Sequence, residues 1–458
     1  MFRRTPLAIV ASLLACFATL TPWGGASVAL GCPFCNAISQ TLRQEMQAMD
    51  VVAIATVVDT ETTRDSETGG VRMRIETILK GDQHAEVGDV ITAIYFGEIQ
   101  KSRRFLVQGA QPPDLQWSSL PVNERVEKYV IRVSELDAED AASRLRFFID
   151  YLQDEDSMLS RDAYDEFAIT PYEAVREIKD DMDHAQLIQW IEDPELSADR
   201  KRLYLTMLGV CGSEDDLPML ERMLRSEQKS VRNGLDALIA CYLTLAGEKG
   251  LPLINEKFLA NRQCGYGDTY AAIMAIRFHG TEGDVIARSA LIESLHLILQ
   301  RPDLADLVIP DLARWEDWSQ IDRMKQLFLE ADEETSFVRV PVVNYLKACP
   351  KPEAREALDE LSKVDPEAVR RANMFFSIPK PQPEDSSDQD SESESENAEP
   401  AATSSWRFEQ TDRPALKVQT AEAAAAPWAN LCRIAGVMAV NLGSIVIGQY
   451  LLLTGGAR

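Results

Sequence analysis

Histidine is scarce in this sequence, with four in 458 residues at His84, His184, His279 and His296, and no two at metal-ligand spacing. A histidine-built metal centre needs three or four convergent ligands, so none is expected and each histidine is read as structural. The chain also lacks a Gly-x-Ser-x-Gly elbow, a Walker A loop and a His-Glu-x-x-His pair. Gly265-Tyr266-Gly267 has neither the third glycine nor the preceding strand of a dinucleotide loop. No cofactor is therefore expected. Basic residues are outnumbered, 47 Lys and Arg against 73 Asp and Glu, for a formal net charge of −26. A field of that sign repels polyanions and anionic lipid surfaces, which excludes nucleic acid as a partner.

The two ends carry the longest apolar runs. Arg3 and Arg4, the run Leu7 to Leu20 and the small residues Ser27, Val28 and Ala29 compose the three parts of a secretory signal peptide over residues 1–29. Residues 431–454 contain a charge-free stretch from Ile434 to Thr454, apolar all round and long enough to span a bilayer as one helix. Together they predict a single-pass type I protein of the cell membrane with its ectodomain periplasmic or extracellular. Ala439, Gly443, Ser444 and Gly448 would allow weak self-association through that helix. Residues 376–428 read as a disordered acidic linker, because acids alternate with serines from Glu384 to Glu399 without a Lys or Arg.

Between these ends the pattern has a β part, residues 30–135, and an α part, residues 140–375. Val51 to Val58 is a β-branched run, and Val71, Met73, Ile75, Thr77 and Leu79 alternate with Arg72, Arg74 and Glu76. Turns at Lys80-Gly81-Asp82 and Val87-Gly88-Asp89 lead to strands Val90 to Phe96, Arg104 to Val107 and Val126 to Val133. About five strands in so short a stretch predict a small OB-like β-barrel. A cysteine pair, a short helix, "DVVAIATVV", a strand ending "ILKG" and then "FLVQGA" resemble the netrin-like module of tissue inhibitors of metalloproteinases. That resemblance implies an OB barrel and, if Cys32 became the mature N-terminus, a protease-zinc-chelating amine and carbonyl on Cys32. The family's early cysteines pair within the module, whereas no cysteine follows Cys35 in this one.

In the α part "LGVCGSEDDLPMLERML", from Leu208, and "LTLAGEKGLPLINEKFL", from Leu243, share a layout: helix end, Gly212 or Gly247, acids, then Leu-Pro opening a helix. Helical hairpins at a period in the thirties predict an α-solenoid, and the loose apolar pattern resembles HEAT repeats. The acidic groups Asp180, Asp181, Asp183 and Asp332, Glu333, Glu334 read as solvated turns, and Trp190, Trp315 and Trp318 as core or groove residues.

The candidate chemistry is the redox pair Cys32 and Cys35 in Cys-Pro-Phe-Cys, the spacing of thiol oxidoreductases. Such a site follows a strand in a βαβ unit, and none precedes Cys32; the structural alternative is a disulfide loop anchoring a loose N-terminus. Cys211, Cys241, Cys264 and Cys349 could pair too, in an order the sequence does not fix. The fold class expected is an α+β multidomain chain. Its expected function is a non-catalytic membrane-anchored scaffold binding other envelope proteins, with thiol-disulfide exchange and protease inhibition as alternatives.

Overall fold

A computed structural model describes residues 34–35, 39–58, 69–99 and 103–375. The signal peptide, Cys32, the acidic linker and the C-terminal apolar segment lie outside the described residues.

Thr41 opens α1 (Leu42–Ala48) with a capping box: its side chain accepts from the Gln44 N–H while the Gln44 side chain accepts from the Thr41 N–H. Five strands follow, β1 (Val51–Val57), β2 (Gly70–Lys80), β3 (Val90–Ile94), β4 (Arg104–Ala110) and β5 (Gln116–Val122). They close into a barrel in the order β1-β2-β3-β5-β4, all pairs antiparallel except β3 with β5. The barrel is filled by alternate residues, among them Val51, Ala53 and Ala55 of β1, Met73 and Ile75 of β2 and Phe105 of β4. β1 is buried on its other face as well. Val52 and Ile54, with Leu106 and Val122, point out of the barrel into the core of the helical region. This double burial explains why β1 reads as an unbroken apolar run, and each such side chain contributes roughly 1.5–3 kcal/mol.

The expected strand Val126 to Val133 is a helix, α2 (Glu124–Glu135). Its buried residues Val126, Tyr129, Val130 and Val133 fall at i, i+3, i+4 and i+7, the spacing of one helical face, and the Asn123 side chain caps the Val126 N–H. The fifth strand is instead Gln116–Val122, which contains Pro121 and shows no clean alternation.

The helical region continues through α3 (Ala141–Phe148), α4 (Ser157–Ile169), α5 (Tyr172–Glu177), α6 (His184–Glu192), α7 (Ala198–Cys211), α8 (Leu217–Arg225), α9 (Leu235–Ala246) and α10 (Leu251–Ile254). Beyond these lie α11 (Tyr266–Thr281), α12 (Arg288–His296), α13 (Ile309–Arg314), α14 (Ile321–Glu330), α15 (Arg339–Ala348), α16 (Pro352–Val364) and α17 (Pro366–Phe375). Next-but-one helices pack together: α7 on α9, α9 on α11, α13 on α15, α15 on α17 and α14 on α16. Leu-Pro opens α8 and α10 as the sequence indicates. The two glycines before them act differently. Gly247 has φ +62°, a conformation that strains other residues, whereas Gly212 is extended at φ −75°. Gly212 is needed for space, because a Cβ there would lie 2.6 Å from the Leu208 carbonyl oxygen.

Among the described residues one stretch, Leu235–Leu259, is long and apolar enough to cross a membrane. It runs through α9 and α10, with Leu238, Ile239, Ile254 and Leu259 fully buried in the common core.

Candidate functional site at the N-terminal segment

Of the candidate pair, Cys35 is half-buried and disulfide-bonded. Cys211, Cys241, Cys264 and Cys349 are free thiols. The sequence left pairing among those four open, and none is formed. Burial pushes the Cys211 thiol up to about 11 and the enclosed Cys241 well above the ordinary range, so neither is a ready nucleophile.

Phe34, inside the Cys-Pro-Phe-Cys turn, is only 6% exposed. With Tyr172 of α5, Phe278 of α11, Gly209 of α7 and Ala237 and Ala240 of α9 it lines one small cavity of about 10 Å3. The Phe34 and Phe278 centroids are 5.1 Å apart, and Tyr172 meets Phe278 edge-on at 5.2 Å. Phe278, 244 positions further along the sequence, thus packs against the segment that carries Phe34.

From Phe34 the chain runs along α4, which presents three buried acids, Asp162, Asp165 and Glu166, on one face. The Ser39 hydroxyl donates to Asp165 at 3.0 Å, and the Leu42 N–H donates to Asp162 at 2.7 Å. Arg43 meets the fully buried Glu166 with two nitrogens, Nε to Oε1 at 3.1 Å and Nη2 to Oε2 at 3.2 Å. The Tyr129 hydroxyl of α2 donates to the second oxygen of Asp162 at 2.7 Å, and the Arg144 guanidinium lies 4.0 Å from Glu166. Burial raises the Asp162 carboxyl to about 7 in spite of its two donors. Burial, and then the adjacent carboxylate, push the Tyr129 phenol far up. Burial and the neighbouring Arg43 charge lower Arg144. A network so enclosed fixes geometry: it ties the segment before β1 to α2, α3 and α4, with Arg144 Nε left without a hydrogen-bond partner.

The histidines are dispersed. His184 meets Asp216 at 3.0 Å, His296 meets Asp317 at 2.6 Å, and His84 lies exposed in the turn after β2. His279 is 2% exposed, its Nε2–H donates to the Ala240 carbonyl at 3.1 Å, and burial depresses it to about 4. Among the described residues no group of three His, Cys, Asp or Glu is placed to hold a metal. Gly265 is the N-cap of α11, and the acidic groups sit in turns: Asp183 caps α6 and Asp332 accepts from Thr335. Trp315 is buried against Gly280, while Trp190 and Trp318 are half-buried beside Tyr204 and Tyr345.

The Phe34 contact with Phe278 and the acids of α4 are not among the candidates the sequence offers. The spacing of Asp162, Asp165 and Glu166 at i, i+3 and i+4 was the available signal: beside Leu159, Ala163 and Phe167 it marks a charged stripe that something must meet. Comparison with protein-family models, with curated proteins and with solved structures returns no match for this chain.

Proposed function

We propose that this chain is a non-catalytic, membrane-anchored extracytoplasmic scaffold that binds other envelope proteins. The observation that carries the reading is the seating of Phe34. A catalytic dithiol must reach the disulfide of a client, whereas here the residue beside Cys35 is buried and Ser39, Leu42 and Arg43 are tied to α4. The cysteine pair is on this reading a staple for the N-terminus.

The closed barrel supports an OB-like module, and the next-but-one packing of the helices supports a HEAT-like solenoid. Solenoids stack repeats into long surfaces whose exposed side chains can vary freely, which suits docking. The apolar runs at the two ends support the location, with the acidic stretch from Glu384 to Glu399 as spacer. Crosslinking in intact membranes followed by solubilisation and affinity capture tests the role. A scaffold enriches the same envelope protein in every replicate; failure to enrich any protein reproducibly contradicts it. A reporter fused ahead of Glu384 that is active only in the cytosol would overturn the location.

A further inference from the structure

Where the barrel meets the helices, a cleft of about 140 Å3 opens to solvent. Its floor is apolar, formed by Met46 of α1, Val52 of β1 and Val133 of α2, each at most 4% exposed. Its rim carries Arg43 and Lys80 with Gln47 and Ser134. Three elements, α1, the β1–β2 side of the barrel and α2, thus converge on one concavity, the usual setting of a small-molecule site.

The charge of the cleft is opposite to that of the chain. No Asp or Glu lines it among the described residues, although acids outnumber bases by 73 to 47 overall. The Lys80 ammonium donates to the carbonyl oxygens of Met46, Gln47 and Met49 at 3.3, 2.6 and 2.6 Å. It forms no ion pair with a carboxylate of the described residues. Arg43 shares the single carboxylate of Glu166 with Arg144. Arg43 is paired, through Nε and Nη2 to Glu166 and Nη1 to Gln47, so Lys80 is the rim cation that faces no carboxylate of the described residues, above an apolar floor.

We propose that this cleft binds a small amphiphilic carboxylate, its apolar body against Met46, Val52 and Val133 and its anionic head at the Lys80 ammonium, in place of the Met46 carbonyl, the longest of the three Lys80 contacts at 3.3 Å. The volume sets the size of that body at about six carbons, since an apolar cavity of about 150 Å3 accommodates benzene. A free short-chain acid and the last residue of a peptide present the same chemistry. The site stands independently of the scaffold reading.

The test is calorimetric titration of the full-length protein with hexanoate, with acetyl-Ala-Leu and with hexylamine. Saturable one-to-one binding of hexanoate is expected, with none of hexylamine. Binding of acetyl-Ala-Leu as well assigns the site to peptide C-termini, and binding of hexanoate alone assigns it to free acids. Lys80→Met is expected to weaken hexanoate at least about tenfold. Lys80 also satisfies the end of α1, so Ser134→Trp provides a second variant: Ser134 is exposed, and an indole there fills the cleft from the rim. Loss of binding in Ser134→Trp with an unchanged melting temperature supports the site. Absence of saturable hexanoate binding, equal affinity for hexylamine, or full affinity in Ser134→Trp would overturn it.

Discussion

Phe34 packs its ring against that of Phe278, inclined at 59°, and so joins the turn before α1 to the middle of the helical region. Phe34→Ala removes a buried ring from its contact with Phe278 and enlarges the small cavity that already lies beside it. The expected cost is about 3 kcal/mol, with Phe34→Leu costing about 1 kcal/mol, read from urea unfolding midpoints. Equal stability of Phe34→Ala and the parent would mean that the ring is not seated.

Glu166, itself fully buried, lies within 4.0 Å of two guanidiniums, the half-buried Arg43 and the buried Arg144. Glu166→Gln removes their counter-charge while preserving shape. Breaking one side of a buried pair costs about 3–5 kcal/mol, and the same urea midpoints report it. Limited proteolysis should then cut near α1 first, because Arg43 belongs to the segment that the pair holds.

His279 and Asp162 give opposite pH dependences. The folded His279 titrates near 4 against an ordinary 6.5, so the unfolded chain holds the extra proton between those values and stability falls as pH drops from 6.5 to 4. The folded Asp162 titrates near 7 against an ordinary 3.8, so the folded chain holds the extra proton and stability falls as pH rises from 3.8 to 7. Each contributes on the order of 3 kcal/mol across its window, and the two largely cancel in the parent protein. Asp162→Asn should therefore expose a stability that rises with pH between 4 and 6.5, and His279→Gln one that falls. Parallel curves for the two variants would contradict the assignment.

Glu316 ends α13 in a left-handed conformation, φ +59°, with the Asp317 N–H donating back to the Leu312 carbonyl at 2.9 Å. This is the position where helices favour glycine. Glu316→Gly is expected to raise stability by about 0.5–1 kcal/mol, measured by thermal or urea unfolding. Gly280→Ala should do the reverse, by about 1–3 kcal/mol, since its Cβ would lie 2.1 Å from the Trp315 ring.

What the sequence made legible follows from the range of each interaction. The alternation in Val71, Met73 and Ile75 is local and placed β2 correctly, and Leu-Pro placed the starts of α8 and α10. Val126 to Val133 was misread because valines at i, i+4 and i+7 satisfy a β-branched composition as well as a helical face, and only Tyr129 at i+3 separates the two. β5 was missed because neither of its faces alternates cleanly. The N-terminal site was legible only in part. Cys32 and Cys35 stood out by spacing, but what decides the role of their turn is Phe34 meeting Phe278 and Arg43 meeting Glu166, contacts that no local pattern encodes.

The central claim is that the turn at Cys35 is a structural staple of a binding protein. Rapid acid quenching of intact cells, alkylation of free thiols and mass mapping of Cys35 tests it directly. The account predicts Cys35 joined within its own chain in every molecule and never to another protein; a mixed disulfide through Cys35 to a second envelope protein would contradict it.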